Sequence, residues 1–195
     1  MSLRHAILVA LLERPSSGLD LARRFDRSIG HFWSATHQSI YRELGRLEGE
    51  RLVESLPQPH SRGQRKLYEV LPAGRSELVT WLGEYEAPER SRDALLVRLR
   101  AASVVGAGPL VEQMRLHRQA HAERHAEYLE IAGRDFDGPH LDASAQIQHL
   151  ILRAGVGLEE YWMTWLSEAI DLLSDLDGGD RTDRSAVTDQ GIIDQ

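Results

Sequence analysis

Apolar side chains recur at helical spacing at the start of the chain. They predict a first helix over Leu3–Glu13, which Ser2 can cap and Pro15 closes. A second helical stretch follows the turn RPSSG, from about residue 19 to residue 28, where Gly30 ends it. The apolar stripe of the first helix consists of Leu3, Ile7, Leu8, Leu11 and Leu12.

The third predicted helix has the clearest division between a buried and an exposed face. Thr36 is placed to cap it, and it runs to about Gly49. Ile40, Leu44 and Leu47 stand at i, i+4 and i+7, so they define the buried face. Polar and small residues therefore share the opposite face: Gln38, Arg42, Gly45 and Arg46.

Two β-like runs come next, at 51–56 and 66–71, and a loop containing Pro and Gly joins them. This pattern predicts a hairpin, and a fourth helix follows over 72–82 with Pro72 in its first turn. Three short helices followed by a hairpin are typical of a winged helix-turn-helix. The predicted fold class is mainly α with a small β-hairpin.

The second half of the chain is predicted to be helical throughout. The charged segment 86–92 contains Pro88 and suits a linker, and three helices follow at about 92–104, 109–132 and 142–176. We therefore expect a winged helix-turn-helix domain over 1–86 and a helical dimerisation domain over 87–176. The polar, Gly-containing segment 177–195 is expected to be a disordered tail.

The last predicted helix carries more apolar side chains than a small three-helix domain can cover, which makes a second copy of the chain a natural partner. These side chains are Ile147, Leu150, Ile151, Ala154, Leu158, Trp162, Trp165, Leu166, Ile170 and Leu173.

Charge separates the two halves. The whole chain has a formal net charge of −7, but residues 1–82 carry 12 Lys and Arg against nine Asp and Glu, and the remainder carries 11 against 21. The positively charged residues of the first half are most concentrated at 60–66, where Arg62, Arg65 and Lys66 are candidates for phosphate contacts. The acidic total therefore does not exclude nucleic acid as a partner.

Composition also narrows the chemistry. The chain has no Cys, which excludes disulfides and thiolate metal sites and fits a cytoplasmic protein. No apolar run reaches the roughly 20 residues of a membrane span, and we expect no secretory signal because the N-terminal residues lack the charged start and cleavage site of one. We find no nucleophile elbow, phosphate-binding Gly loop or dinucleotide fingerprint, so we expect neither an enzyme nor a cofactor.

Three segments resemble the PadR family of transcriptional regulators. Residues 32–55 are similar to its recognition helix and first wing strand, 62–78 to its wing exit, and 92–102 to the start of its C-terminal helical domain. The chain departs from the family pattern at four positions, which leaves the fold intact but alters the residues available to a DNA site. These are His37 and Arg42, where the family has Pro, Arg51, where Gly is common, and Pro72, where Thr is usual.

The resemblance implies a cytoplasmic homodimer that represses promoters and is released by a small aromatic or phenolic effector. An inverted-repeat operator in double-stranded DNA would be its partner, with the third helix in the major groove and the wing on phosphates or a narrow minor groove. The candidate DNA-binding residues are Thr36, Gln38, Ser39, Tyr41, Arg42, Arg46, Arg62, Arg65 and Lys66. The alternative is a winged-helix module that binds other proteins and does not read DNA.

Two features of the C-terminal half have more than one interpretation. Trp162 and Trp165 could line an effector cavity, although aromatic residues at this spacing are more often packing. His117, His121 and His125 stand at successive i+4 positions and could bind a metal or form a pH-sensitive interface, but a solvated helix face is the simplest interpretation. No metal is therefore expected.

Overall fold

The computed structural model describes residues 3–27, 35–57, 66–88 and 93–188. The chain divides into two compact units, Met1–Glu89 and Arg90–Gln195. The boundary expected from the linker composition, after residue 86, falls just before this division. Each unit has its own hydrophobic core.

The described residues of the first unit form four helices and three strands. The helices are α1 (Leu3–Glu13), α2 (Gly18–Arg27), α3 (His37–Gly49) and α4 (Pro72–Leu82). The strands are β1 (Ser16–Ser17), β2 (Val53–Pro57) and β3 (Lys66–Val70). The predicted fold class, mainly helical with a small hairpin of β2 and β3, is confirmed.

The sheet has one strand that the sequence pattern did not predict. Its order is β1-β3-β2, and both pairings are antiparallel. Ser16 pairs with Tyr68 and Ser17 with Leu67, in the segment that the Pro and Gly residues marked as a turn. Two residues are too short to show a period of two, and this strand forms because it covers the edge of β3 that β2 leaves open.

The core of the first unit is built from one face of each helix. Ile7, Leu8 and Leu11 of α1 are buried against Phe25 of α2, and Ile40, Leu44 and Leu47 of α3 complete the layer with no exposed area. The helical periods that predicted these buried faces are confirmed. Burial of side chains of this size contributes about 1.5–3 kcal/mol each, so this layer fixes the orientation of α3.

The end of α3 adopts a Schellman arrangement. The Arg51 N–H donates to the Glu48 carbonyl over 3.1 Å, and the Leu52 N–H donates to the Leu47 carbonyl over 2.9 Å. Leu47 and Leu52 are both buried, so the apolar contact that accompanies this motif is also present. Arg51 takes a left-handed backbone conformation with φ 59°, which is the position where the resembling family commonly has Gly.

We predict that Arg51→Gly stabilises the first unit by about 0.5–1 kcal/mol, because Gly adopts positive φ without the steric cost that a Cβ adds. Chemical denaturation measured by circular dichroism tests this. Arg75→Gly in the exposed interior of α4 is the matched control and should lose about 1 kcal/mol. A loss of stability in Arg51→Gly would contradict the assigned strain.

The described part of the second unit, 93–188, forms three helices: α5 (Ala94–Val105), α6 (Gly108–Asp135) and α7 (Ala143–Thr188). Asp93 caps α5, accepting from the Leu95 N–H over 2.7 Å. Contacts between α6 and α7 run in opposite chain directions, from Arg118 on Ser167 to His125 on Glu160, so the two helices are antiparallel. The core of this unit, to which all three helices contribute, contains Leu95, Leu110, Val111, Met114, Leu166, Ala169 and Leu173.

The last helix is longer than its apolar pattern predicts. The pattern ends near residue 176, but α7 continues to Thr188, through much of the segment for which a disordered tail is expected. Adding residues to an existing helix avoids the nucleation step, so polar residues can extend a helix that packing has already formed. Residues 189–195 lie outside the described part of the chain. Among the described residues, no helix has the length and apolar character needed to cross a membrane.

Candidate nucleic-acid interface

The start of α3 is fixed by two of the predicted site residues. Thr36 is the N-cap, with φ −75° and ψ 149°, and its hydroxyl oxygen accepts from the Ser39 N–H over 3.2 Å. The Ser39 hydroxyl donates in return to the Thr36 carbonyl oxygen over 2.7 Å. Both side chains therefore hold the helix terminus in place, and Ser39 is partly buried whereas Thr36 is exposed.

The face of α3 opposite the core is open. Gln38, Tyr41, Arg42 and Arg46 are all exposed, and we call this set the outer face. Gly45 lies among them, and a Cβ at this position would meet no described atom within 4 Å apart from its chain neighbours and the nearby backbone of α3. The outer face therefore offers long polar side chains around a gap, as the helical pattern predicted.

Tyr41 belongs to the outer face but also packs against a second helix of the unit. Its side chain is 49% exposed, and its ring lies over Gly18 at the start of α2. A Cβ at position 18 would come within 2.5 Å of the ring, so only Gly permits this close approach. Tyr41 is thus held at the edge of the outer face.

The two arginines of the outer face differ in their surroundings. The Arg46 guanidinium lies 3.3 Å from the Glu43 carboxylate one turn earlier on the same helix. Arg42 has no ion-pair partner among the residues that the structure describes. Arg42 is therefore the cation of α3 whose charge is least compensated.

The hairpin contributes one described member of the predicted site. Lys66 begins β3 opposite Pro57, and its ammonium group lies 4.0 Å from the Glu48 carboxylate of α3. Glu48 also accepts a hydrogen bond from the Ser55 hydroxyl of β2. Arg62 and Arg65, predicted at the tip of the wing, lie outside the described residues.

Tyr68 lies in the middle of the sheet beside this carboxylate. Burial raises its pKa above the usual value, and the negative charge of Glu48 raises it further. The Tyr68 hydroxyl therefore stays neutral at physiological pH. Glu48 connects α3 to both β2 and β3.

The predicted effector residues lie in an aromatic cluster of the second unit. Trp162 stacks on His121 with ring centroids 5.5 Å apart and an interplanar angle of 12°. Trp165 meets Trp162 edge to face at 5.5 Å, and Tyr161 meets it from another side at 5.8 Å. Both Trp side chains are half-buried, so much of their surface already contacts other residues of the unit.

The histidine series is mostly not a solvated face, contrary to the simplest interpretation of its spacing. His121 and His125 have side chains only 14% and 18% exposed, because they face α7. The His121 Nδ1 lies 2.5 Å from the buried Glu159 carboxylate, and His125 lies 3.2 Å from Glu160. His117 is exposed, and the described residues contain no group of side chains arranged to hold a metal ion.

Glu159 is the buried charge of this region. Its carboxylate lies between His121 and Arg124, whose Nε is 3.3 Å away. The Nδ1 of His121 also lies 2.9 Å from Arg124, but a donor is needed toward Glu159, so we assign the Nδ1 proton to the carboxylate contact. Burial raises the pKa of the neighbouring Tyr128, and the charge of Glu159 adds to that shift. The cluster joins α6 to α7.

Glu43, Glu48 and Glu159 were not among the residues predicted from the sequence. Glu43 stands three residues before Arg46, so helical spacing alone could have indicated that pair. Glu48 with Lys66 and Glu159 with His121 join different elements, and no local spacing reveals them.

The fold and the outer face define a class. Three helices, a short sheet with an antiparallel hairpin, and an exposed polar face on the third helix make the first unit a winged helix-turn-helix. Comparison with family models agrees: residues 7–80 match the transcriptional regulator PadR-like family. Residues 91–174 match the family described as virulence activator alpha C-term.

Similar proteins cover nearly the whole chain. The probable transcriptional regulator Rv1176c of Mycobacterium tuberculosis is 39% identical over 188 residues, covering 90% of this chain and 99% of the relative. The structure of the Vibrio cholerae virulence activator AphA aligns with a TM-score of 0.77 at 31% identity, again covering 90% and 99%. The chain belongs to the PadR-like family of transcriptional regulators.

Bacillus subtilis PadR has the same fold at lower identity. Its complex with operator DNA aligns with a TM-score of 0.77 at 23% identity, covering 88% of this chain and 98% of PadR. Its complex with p-coumaric acid aligns with a TM-score of 0.73 at 22% identity over the same shares.

Proposed function

We propose that this regulator binds an inverted-repeat operator as a homodimer, represses the promoter that contains it, and is released by a small aromatic effector. The observation that carries the proposal is the outer face of α3, whose helix start is fixed by Thr36 and whose side chains are all exposed in the described structure. A DNA partner would place the protein in the cytoplasm. The operator complex of Bacillus subtilis PadR supports this use of the fold.

Each group of site residues has a role that suits its chemistry. Arg42 and Arg46 offer paired donors to guanine, and Gln38 can pair with adenine in the major groove. Thr36, Ser39 and Tyr41 set the register of the helix at the edge of the groove, where hydroxyl groups contact phosphates. The wing residues Arg62, Arg65 and Lys66 would meet phosphates or a narrow minor groove.

We expect Arg42→Ala to weaken binding to a specific duplex by about 10- to 100-fold, since one bidentate base contact contributes about 1–3 kcal/mol. The duplex should be selected from a random pool by the unaltered protein, and affinity measured by fluorescence anisotropy. Lys66→Ala should instead weaken binding to all duplexes and reduce the salt dependence. Arg75→Ala on α4, exposed and equal in charge change, serves as the control.

The DNA proposal fails if the pool yields no preferred duplex and binding is insensitive to salt. That result would favour the alternative, a winged-helix module that binds proteins. The basic residues of the outer face and wing favour DNA over a protein partner because phosphate contacts need positive charge.

Dimerisation is proposed from an apolar stripe on α7 that no described residue covers. Its members lie in a sector of about 100° of the helix, next to the side that faces α6. These exposed side chains are Ile147, Leu150, Ile151, Leu158, Tyr161, Leu172 and Leu176. A second copy of the chain would remove the stripe from water, and a two-fold axis lets the same surface serve both copies.

We expect Leu158→Asp to weaken the dimer at least about 30-fold, because the two-fold axis places the unpaired carboxylate in the interface twice. Sedimentation velocity at micromolar concentration should show the unaltered chain at twice 22.0 kDa and the variant near the monomer mass. Ser174→Asp introduces the same charge on an exposed position about 120° or more around the helix from every residue of the stripe, and should remain dimeric. A monomeric unaltered chain would contradict the proposal.

We also propose Trp162 and Trp165 as the residues that contact an effector. The phenolic acid in the complex of Bacillus subtilis PadR is flat and aromatic, a shape that indole rings bind by stacking. Trp162 already stacks on His121, so an effector has to share or replace that contact. Release from DNA then requires unequal affinity for the two arrangements of the dimer.

We expect p-coumaric acid to bind the unaltered chain in isothermal titration calorimetry, and Trp165→Leu to bind it at least about fivefold more weakly through the loss of aromatic contact. Trp81→Phe, in the first unit, controls for a general effect of removing an indole. Equal affinities in the unaltered chain and Trp165→Leu would show that these residues do not contact the effector. If no member of a panel of phenolic acids gives a binding signal, this class of effector is contradicted.

A further inference from the structure

An apolar groove lies between α5 and the later part of α7. Its volume is about 410 Å³, and its lining includes Leu99 and Ala102 of α5 and Leu172 and Leu176 of α7. The two lining residues of α7 are 58% and 60% exposed, and they belong to the apolar stripe from which dimerisation is proposed. We call this part of the stripe the groove end, because α5 flanks it without covering it.

The other end of the stripe lies near the start of α7. Ile147, Leu150 and Ile151 are each at least 43% exposed there, and we call them the aliphatic end. They are separated from Leu172 and Leu176 by about 37 Å along the helix, at 1.5 Å per residue. The stripe therefore has a groove at one end and exposed aliphatic side chains at the other.

The charges of α7 also differ between the two ends. The start of the helix, 143–158, contains Arg153 but no Asp or Glu. The part that carries the groove end, 166–176, has no Lys or Arg, and its acidic residues are Glu168, Asp171 and Asp175. All four charged side chains are exposed, and none has an ion-pair partner among the described residues. At about 100° per residue they lie within a sector of about 60°, along the edge of the stripe that Leu150 occupies.

We propose that α7 pairs with α7 of a second copy in antiparallel orientation, so that the aliphatic end of each copy fills the groove between α5 and α7 of the other. The inference rests on the homodimer proposed above and deepens it. A two-fold axis that crosses α7 between residues 161 and 162 gives this arrangement. Ile151 and Leu172 are equidistant from that axis, so each lies beside the other residue of the second copy.

Charge supports the antiparallel orientation. The axis places Arg153 of one copy beside Glu168 and Asp171 of the other, and symmetry repeats this contact. In a parallel pair the acidic residues would face their own counterparts, and charges flanking a helix–helix seam set the orientation of the helices. A parallel pair would also bring both copies of α5 to the same end and leave both aliphatic ends in water. Only the antiparallel pair covers the whole stripe.

The chain has no Cys, so single Cys substitutions report directly on the pairing. Ile151→Cys and Leu172→Cys are oxidised separately and also together after subunit exchange, and cross-linked dimer is measured on non-reducing gels. We expect at least about tenfold more cross-linked dimer in the mixture than in either variant alone. The reason is that equivalent residues of the antiparallel pair lie about 30 Å apart, whereas a disulfide joins Cα atoms roughly 4.4–6.8 Å apart.

Ser174→Cys is the matched control for the cross-linking. It lies about 120° or more around α7 from every residue of the stripe. Mixed with Ile151→Cys, it should give no more cross-linked dimer than either variant alone. Sedimentation velocity under reducing conditions checks that each variant is dimeric before oxidation, and circular dichroism checks that it is folded.

Reversal of the proposed ion pair gives a second test. Arg153→Glu and Glu168→Arg should each weaken the dimer about five- to tenfold, because each brings like charges together at two symmetric contacts. The double variant should return to within about threefold of the unaltered chain in sedimentation equilibrium. The two positions are about 22 Å apart along one helix, so a rescue of this kind arises only between copies.

Cross-linking of Ile151→Cys or Leu172→Cys with itself would overturn the inference in favour of a parallel pair. A dimer that gives no cross-link in the mixture would also overturn it, although the proposed homodimer would stand. A double charge variant as weak as the single ones would contradict the contact assigned to Arg153. A monomeric unaltered chain is a different result, since it removes the homodimer itself.

Discussion

The burial of one face of α3 is the constraint on which the first unit depends. Ile40, Leu44 and Leu47 are fully enclosed by α1 and α2, and a helix that buries one face must present the other. The side chains of the outer face are thereby fixed in direction before any partner arrives. Thr36 fixes where the helix begins, and the Schellman arrangement at Arg51 fixes where it ends and the wing starts.

Charge is distributed on this frame in a way that composition does not reveal. The chain is acidic overall, and the exposed cations Arg46 and Lys66 have acids nearby, whereas Arg42 has none in the described part. Attraction to phosphates depends on the local cations of a surface and does not distinguish one sequence from another, whereas hydrogen bonds to base edges do. An acidic regulator is therefore compatible with selective DNA binding.

The second unit differs from the first in burying a charged side chain between its two long helices. Its helices α6 and α7 bury Leu166 and Met114 but also the carboxylate of Glu159, which is stabilised by His121 and Arg124. Removing one partner of such a buried group would leave a charge without compensation, so the pair fixes the register of the two helices. The stripe on the adjoining side of α7 is exposed in the described structure. Leu166 and Leu173, which the sequence pattern counted among the apolar residues that call for a second chain, are instead buried in the core of this unit.

The sequence by itself determined the helix periods, the hairpin, the domain order and the identity of the outer face, because each follows from spacing within a single element. It also marked Arg51 as unusual, and the structure supplied the reason in its positive φ. Only the tertiary structure decided that Ser16 and Ser17 form a strand, that α7 continues to Thr188, and that His121 and His125 face a neighbouring helix. Contacts such as Glu48 with Lys66 join elements that are distant along the chain. Packing brings these residues together, and the spacing of residues within one element gives no sign of it.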